Sequence, residues 1–185
     1  RHALLDELPR FQHLERHEAV QEGEAGLAEV RLHGLVRRDA LRLMVLNRAY
    51  DDRMQRMQRQ GKVTFYIQAL GEEAVSIGAG LAFEDGDMLF PAYRNQGLYL
   101  MRGTGLVEMM CQCLSNSRDM CKGRQMPIFY QNREKNLFTI SGNLATQYPQ
   151  AVGWAMGAAI KGERHIAASW VGDGSTAEAD FHYAL

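Results

Sequence analysis

The stretch from Pro149 to Asp180 constrains the fold more than any other. Pro149 suits a first helical turn, where its missing N–H costs nothing, and a helix from there to Lys161 would stop at Gly162. His165 to Val171 is a short apolar run with the composition of a buried strand. Gly172-Asp173-Gly174 ends it, and a helix-like stretch follows from Ser175. Helix, strand and helix in that order predict an α/β fold, a parallel sheet flanked by helices. In such a sheet ligands bind outside the carboxyl ends of the strands. Asp173 falls at such an end, between two glycines that let a ligand come close to the backbone. A carboxylate there suits a hard cation such as Mg²⁺, and Mg²⁺ suits a phosphorylated cofactor. A plain glycine turn after a buried strand would read the same way in isolation, so the rest of the chain has to decide.

The chain has 185 residues, the length of one domain. It carries 21 basic and 22 acidic residues, a net charge of −1, and so lacks the field that would recruit nucleic acid or an anionic membrane. No apolar run reaches the roughly 18 residues of a membrane span, and Arg1 to Glu7 does not have the pattern of a secretory signal. Cys111, Cys113 and Cys121 form no paired framework, which fits free thiols in a reducing compartment. Arg1 is not an initiator, and Leu185 falls within what reads as a continuing helix. The chain therefore reads as a piece of something longer.

Residues 1–36 are polar with scattered leucines and read as an N-terminal arm with short helical pieces. His13 and His17 are spaced i, i+4, but no third ligand accompanies them, so surface histidines are expected. The spacing of Leu43, Leu46, Tyr50, Met54 and Met57 predicts a helix over 39–60, with Asp39 as N-cap, Gly61 as stop and the stripe as core. A second helix over 72–83 is rich in small residues, which suits close packing. Met88 to Pro91 reads as a strand, followed by Ala92-Tyr93-Arg94-Asn95. Thr104 is placed to cap a helix through Leu114. Residues 115–147 show no periodicity, and long loops of that kind are usually functional or disordered. Gly153 and Gly157 put two smooth positions on one face of the helix after Pro149.

Three loops thus fall at strand ends or before a helix: Tyr93-Arg94, Ser141 to Gln147, and Gly172-Asp173-Gly174. They offer a guanidinium for phosphate, a phenol, oxygen acceptors and a metal-seeking carboxylate. That set can hold a diphosphate through Mg²⁺. There is no Walker lysine and no Gly-x-Gly-x-x-Gly opening a βαβ unit, so neither a P-loop nor a dinucleotide site is indicated.

On these words the chain resembles the α subunits of the thiamine-diphosphate-dependent 2-oxoacid dehydrogenases, in particular the branched-chain type. The matching segments are Phe65-Tyr-Ile-Gln-Ala-Leu-Gly-Glu-Glu-Ala74, Phe90-Pro-Ala-Tyr-Arg94, Lys122-Gly-Arg-Gln-Met-Pro127, Ile140-Ser-Gly-Asn-Leu-Ala-Thr-Gln147 and Gly172-Asp-Gly174. They cover residues 37–185, read as the first half of a thiamine-diphosphate-binding α/β domain. Pyruvate-type α subunits tend to carry Lys-Gly-Gly-Ser-Met-His where this chain has Lys122-Gly-Arg-Gln-Met-Pro.

The resemblance implies roles. Tyr93 and Arg94 stand where the family contacts the diphosphate, and Asp173 where it binds Mg²⁺. Gly172, Gly174 and Ser175 stand where backbone wraps the diphosphate, Leu144 where a loop supports the aminopyrimidine, and Gly142 beside it among the cofactor-binding positions. Ser141, Asn143, Thr146 and Gln147 stand where some relatives hold K⁺, with Asn143 in place of a proline. Ala92 stands where some relatives have glutamine. The family's asparagine pair and histidine loop would lie beyond Leu185, and its activating glutamate belongs to a β subunit, so no catalytic residue is assigned here.

The implied activity is oxidative decarboxylation of a branched-chain 2-oxoacid with acyl transfer to the lipoyl group of an acyltransferase core. The implied assembly is an α₂β₂ heterotetramer in a multienzyme complex, in the cytoplasm of a bacterium or the mitochondrial matrix. A pyruvate- or acetoin-type α subunit is the nearest alternative. A non-catalytic interaction module built on the small-residue helices is an alternative of another class.

Overall fold

The computed structural model describes residues 22–185. His13 and His17 lie outside the described residues. The described residues fall into two units, one up to Asp39 and one spanning Ala40–Leu185. In the first, the described residues are helical, and Arg38 Nε donates to the Gly34 carbonyl at 3.4 Å.

Helix α1 spans Glu22–Arg59. Asp39 is therefore not an N-cap, and residues 22–36 are part of a helix rather than short pieces. Strong helix formers such as Glu, Ala, Leu and Arg precede Asp39, and a residue favoured at caps does not force a helix to begin. The far end is as expected. Gly61 adopts φ +71°, its N–H donates to Gln58, and Lys62 N–H donates to Met57, a Schellman pair that closes the helix.

In the second unit, Leu43, Tyr50, Met54 and Met57 of α1 are buried in one core with Ile77, Leu89, Leu98, Tyr99, Met109 and Ile128. Leu46 packs at its margin. Helix α2 spans Glu73–Gly80 and α3 spans Gln96–Met101. These two cross tightly. A Cβ on Gly97 would come 2.9 Å from Ser76 Cβ, and one on Gly80 would come 2.8 Å from Met101 Cγ. The small-residue helix is thus used for packing, while Gly153 and Gly157 have open space around the Cβ position among the described residues.

Strand β1 spans Met88–Phe90 and β2 spans Ala167–Ser169. They pair in parallel, with Phe90 opposite Ser169. The strand is shorter than the apolar run 165–171. Segment 136–138 lies along the other edge of β1, with Leu89 N–H donating to Asn136 and Phe138 N–H to Leu89. The fold is therefore a mix of helices with a small parallel sheet.

Helix α4 spans Leu106–Cys113 and begins after Gly105, whose N–H donates to the Glu108 carboxylate at 3.0 Å. Thr104 is not the cap: it is buried, and its hydroxyl accepts from Asn132 at 3.2 Å. Of residues 115–147, expected to lack structure, Gln147 already belongs to the next helix, and 115–146 hold only a 3₁₀ turn, Arg133–Lys135, as a helical element, yet they are anchored. Gln112 donates to Met126 and accepts from Ile128 N–H, and buried Asp119 accepts from Cys121 and Gly123 N–H. All three cysteines are free and buried. Burial pushes the Cys121 thiol up to about 11, which leaves little thiolate near neutrality.

Helix α5 spans Gln147–Lys161, with Pro149 in its first turn and Gly162 closing it at φ +75°. A 3₁₀ turn, Asp173–Ala177, and helix α6, Ala179–Ala184, complete the chain. The helix expected from Ser175 thus starts later. Ser175 N–H donates to Gly172 in a tight turn, and Glu178 is extended at ψ 146°, so the two pieces cannot merge. Among the described residues no helix is long and apolar enough to cross a membrane.

Candidate functional site

The site begins with a buried carboxylate that the apolar stripe conceals. Asp51 lies on the core face of α1, beside Tyr50 and fully buried. One of its oxygens accepts from the Tyr66 hydroxyl at 2.7 Å and the other from Ala69 N–H at 2.6 Å. Burial leaves its pKa above the ordinary carboxylate value, and these two donors offset that rise only in part. Farther on, Gln96 Nε2 donates to the Ile67 carbonyl at 3.0 Å and Gly71 N–H donates to Glu73 at 3.0 Å. The hydrogen bond from Arg48 holds the Glu73 carboxyl below its ordinary range. The irregular segment from Tyr66 to Glu73 is therefore tied to α1 and α3 rather than free.

That segment holds the first predicted site residue. Arg94 Nη1 donates to the Gln68 carbonyl at 2.8 Å, and Arg94 Nε lies 3.8 Å from a Glu72 oxygen. The turn bearing Ala92, Tyr93 and Arg94 is closed by Asn95. Its Oδ1 accepts from Ala92 N–H at 2.8 Å, and its Nδ2 donates to Ser76 at 3.0 Å. Tyr93 and Arg94 are half-buried, with the guanidinium 5.7 Å from the Tyr93 ring centre. Arg94 Nη2 has no hydrogen-bond partner among the described residues, so a planar, permanently charged donor edge remains for an anion.

The second and third loops meet at the end of β2. Gln147, buried at the start of α5, donates from Nε2 to the Trp170 carbonyl at 2.6 Å. Asp173 follows three residues later and is exposed. One of its carboxylate oxygens accepts from Gly174 N–H at 2.9 Å. Gly172 and Gly174 have nothing within 4 Å of a would-be Cβ, so the backbone is open to a ligand. Ser175 is buried, its N–H spent on Gly172.

In the loop before α5, Ser141 Oγ accepts from Asn143 N–H at 3.1 Å, and Gly142 packs against Phe129, whose ring would lie 3.1 Å from an added Cβ. Thr146 donates to Asp180 at 3.3 Å. Asn143, Leu144, Thr146, Glu178, Ala179 and Asp180 line a cleft of about 350 Å³.

Because β1 and β2 run parallel with Phe90 level with Ser169, the loops after both strands leave from one end of the sheet. Gln147 ties the 141–147 loop to that same end. The three loops singled out from the sequence are thus brought to one edge. Among the described residues no three His, Cys, Asp or Glu side chains converge on a metal position. A cation at Asp173 would take its remaining oxygens from a ligand phosphate, backbone or water, the usual manner of Mg²⁺. The contributions of Asp51, Gln68 and Glu72 were not legible in advance. The available signal was an acid at position 51 beside a buried stripe, and two adjacent glutamates after Gly71.

Comparison with known proteins shows what the sequence is similar to. The family model for the dehydrogenase E1 component matches residues 41–185. The chain is 56% identical over 145 residues to the 2-oxoisovalerate dehydrogenase subunit alpha of Pseudomonas aeruginosa, covering 78% of this chain and 35% of that protein. It is 43% identical over 142 residues to the mitochondrial 2-oxoisovalerate dehydrogenase subunit alpha 2 of Arabidopsis thaliana, covering 77% and 30%. It is 40% identical over 139 residues to the mitochondrial subunit alpha of Bos taurus, covering 75% and 30%. The chain therefore spans about a third of the length of these curated relatives.

Proposed function

Because this chain belongs to the dehydrogenase E1 component family, we propose that it works within the α subunit of a thiamine-diphosphate-dependent branched-chain 2-oxoacid dehydrogenase. The observation that carries the reading is the gathering of Arg94, the Ser141–Gln147 loop and Asp173 at one end of the parallel strands. The names of the relatives favour the branched-chain activity over the pyruvate or acetoin type.

The residues present fit the cofactor. When bound, thiamine diphosphate supplies the nucleophilic carbon and the electron sink for decarboxylation. Arg94, aimed by Gln68 and Glu72, takes the diphosphate, with Tyr93 beside it. Asp173 holds Mg²⁺, and the bare backbone of Gly172 and Gly174 leaves room for phosphate oxygens, with Ser175 closing the turn beneath. Gly142 and Leu144 carry the loop toward the aminopyrimidine. Ser141, Asn143, Thr146 and Gln147 supply oxygens of the kind K⁺ accepts. The groups that activate the cofactor ring come from a β subunit, in an α₂β₂ assembly that passes the acyl group to a lipoyl-bearing acyltransferase. Residues 37–185 are the cofactor-binding domain's first half in this reading, and 1–36 an arm.

The test is turnover by the intact protein with its β subunit and a lipoyl acceptor. Higher kcat/KM on 2-oxoisovalerate than on pyruvate supports the reading. Preference for pyruvate moves the chain to the nearest alternative. An assembly that forms but binds no thiamine diphosphate leaves only an interaction module.

A further inference from the structure

Gln147 is the buried side chain best placed to govern the metal-bearing turn. It sits in the first turn of α5, almost wholly shielded, and its amide nitrogen donates to the Trp170 carbonyl at 2.6 Å. Trp170 is the first residue beyond β2, and its own N–H donates to Phe90 at 3.2 Å. Both polar groups of the Trp170 backbone are therefore fixed, one by β1 and one by α5. Val171 and Gly172 alone separate this anchor from Asp173. The backbone of the turn is closed by Ser175 N–H donating to Gly172 and by the Thr176 hydroxyl donating to the Asp173 carbonyl at 2.6 Å, but the Asp173 side chain is held far less. Asp173 is exposed, its carboxylate braced only on Gly174 N–H among the described residues, and both flanking glycines face open space. An exposed carboxylate between two glycines still has side-chain freedom, and some freedom in where its turn sits, to lose on meeting a cation. A fixed point just upstream removes part of that cost in advance.

We infer that Gln147 is a positioning residue for Asp173, acting as a hydrogen-bond donor to the end of β2 rather than only as an oxygen ligand. The inference rests on the reading of Asp173 as the Mg²⁺ carboxylate. It makes a distinctive demand on the chemistry at position 147. The working group is the amide N–H, so replacing the amide by a carboxylate of the same shape destroys the function while keeping the oxygen. Gln147→Glu sets an acceptor against the Trp170 carbonyl, which is also an acceptor. Gln147→Met keeps the volume and removes both polar atoms.

The experiment measures thiamine diphosphate binding by tryptophan fluorescence across a Mg²⁺ titration. It uses the intact protein with its β subunit, and apo thermal midpoints are recorded alongside. Asp173→Asn is run in parallel. Both Gln147 variants should need about three- to tenfold more Mg²⁺ for half-maximal binding, the factor that loss of one buried hydrogen bond carries. Added K⁺ should not restore either variant, and at saturating Mg²⁺ cofactor affinity should return toward wild type. A Gln147→Glu protein with the wild-type Mg²⁺ requirement overturns the inference, because the oxygen and not the donor would then matter. So does K⁺ rescue, and so does a lowered thermal midpoint with no change in Mg²⁺ requirement. If Asp173→Asn itself leaves the Mg²⁺ requirement unchanged, the assignment of the metal carboxylate fails instead, whatever the Gln147 variants do.

Discussion

Arg94 and Gln68 are 26 residues apart in sequence, yet the guanidinium of one donates to the backbone carbonyl of the other at 2.8 Å. A side chain proposed to bind phosphate is thereby aimed by a main-chain atom that substitution cannot alter. Gln68 sits in a segment that is itself pinned on both sides, through Ala69 to Asp51 and through Ile67 to Gln96. Orientation passes from the core face of α1 to the sheet end through hydrogen bonds, with Glu72 alongside the guanidinium at 3.8 Å.

Arg94→Lys is expected to weaken thiamine diphosphate binding about tenfold or more, the scale of one lost charge-assisted hydrogen bond. An ammonium cannot serve the Gln68 carbonyl and still present a planar edge to phosphate. Relative kcat/KM across 2-oxoacids should stay unchanged. A variant that alters only substrate preference would place Arg94 in the substrate pocket.

Asp51→Asn keeps an acceptor for the Tyr66 hydroxyl but turns an amide N–H₂ toward Ala69 N–H. Leaving that buried donor unmet should cost about 1–3 kcal/mol in denaturant unfolding. Cofactor affinity should fall with it, since the segment that aims Arg94 loses a tie. Unchanged stability would mean that the 66–73 segment is held by its other bonds.

Glu73 gives a pH signature. Its carboxyl titrates near 4.5 when unperturbed, and the bond from Arg48 holds it lower in the folded chain. As pH falls, the unfolded state takes up this proton first. The pair's stabilisation is therefore complete above pH 4.5 and is lost as pH falls through the folded pKa. Glu73→Gln should flatten the acid limb of the stability curve while changing its slope little near neutrality. An acid limb identical to wild type would show that other carboxylates dominate it.

Two glycines should respond in opposite ways to alanine. Gly97→Ala drives a methyl into Ser76 and Ile77 across the α2–α3 crossing, and such overpacking costs about 1–3 kcal/mol. Gly157→Ala meets open space on α5 and should add about 0.5–1 kcal/mol of helix stability in the chain expressed alone. Thermal unfolding of the two variants decides it. Equal losses at both positions would mean that the exposed face of α5 is covered.

The sequence by itself determined the local features. The Schellman stop at Gly61, the close of α5 at Gly162, the parallel strand before Gly172 and the identity of the three loops all follow from residue chemistry acting over a few positions. It misplaced the start of α1 and the cap of α4, because Asp39 and Thr104 satisfy a local preference that neighbouring residues outweigh. Only the tertiary structure decided which polar groups meet across the chain. Asp51 with Ala69, Arg94 with Gln68 and Gln147 with Trp170 are separated by 18, 26 and 23 residues. No periodicity encodes such pairs. Each forms because burial withdraws water from a backbone donor or acceptor, and whichever side chain the packing brings within reach must replace it.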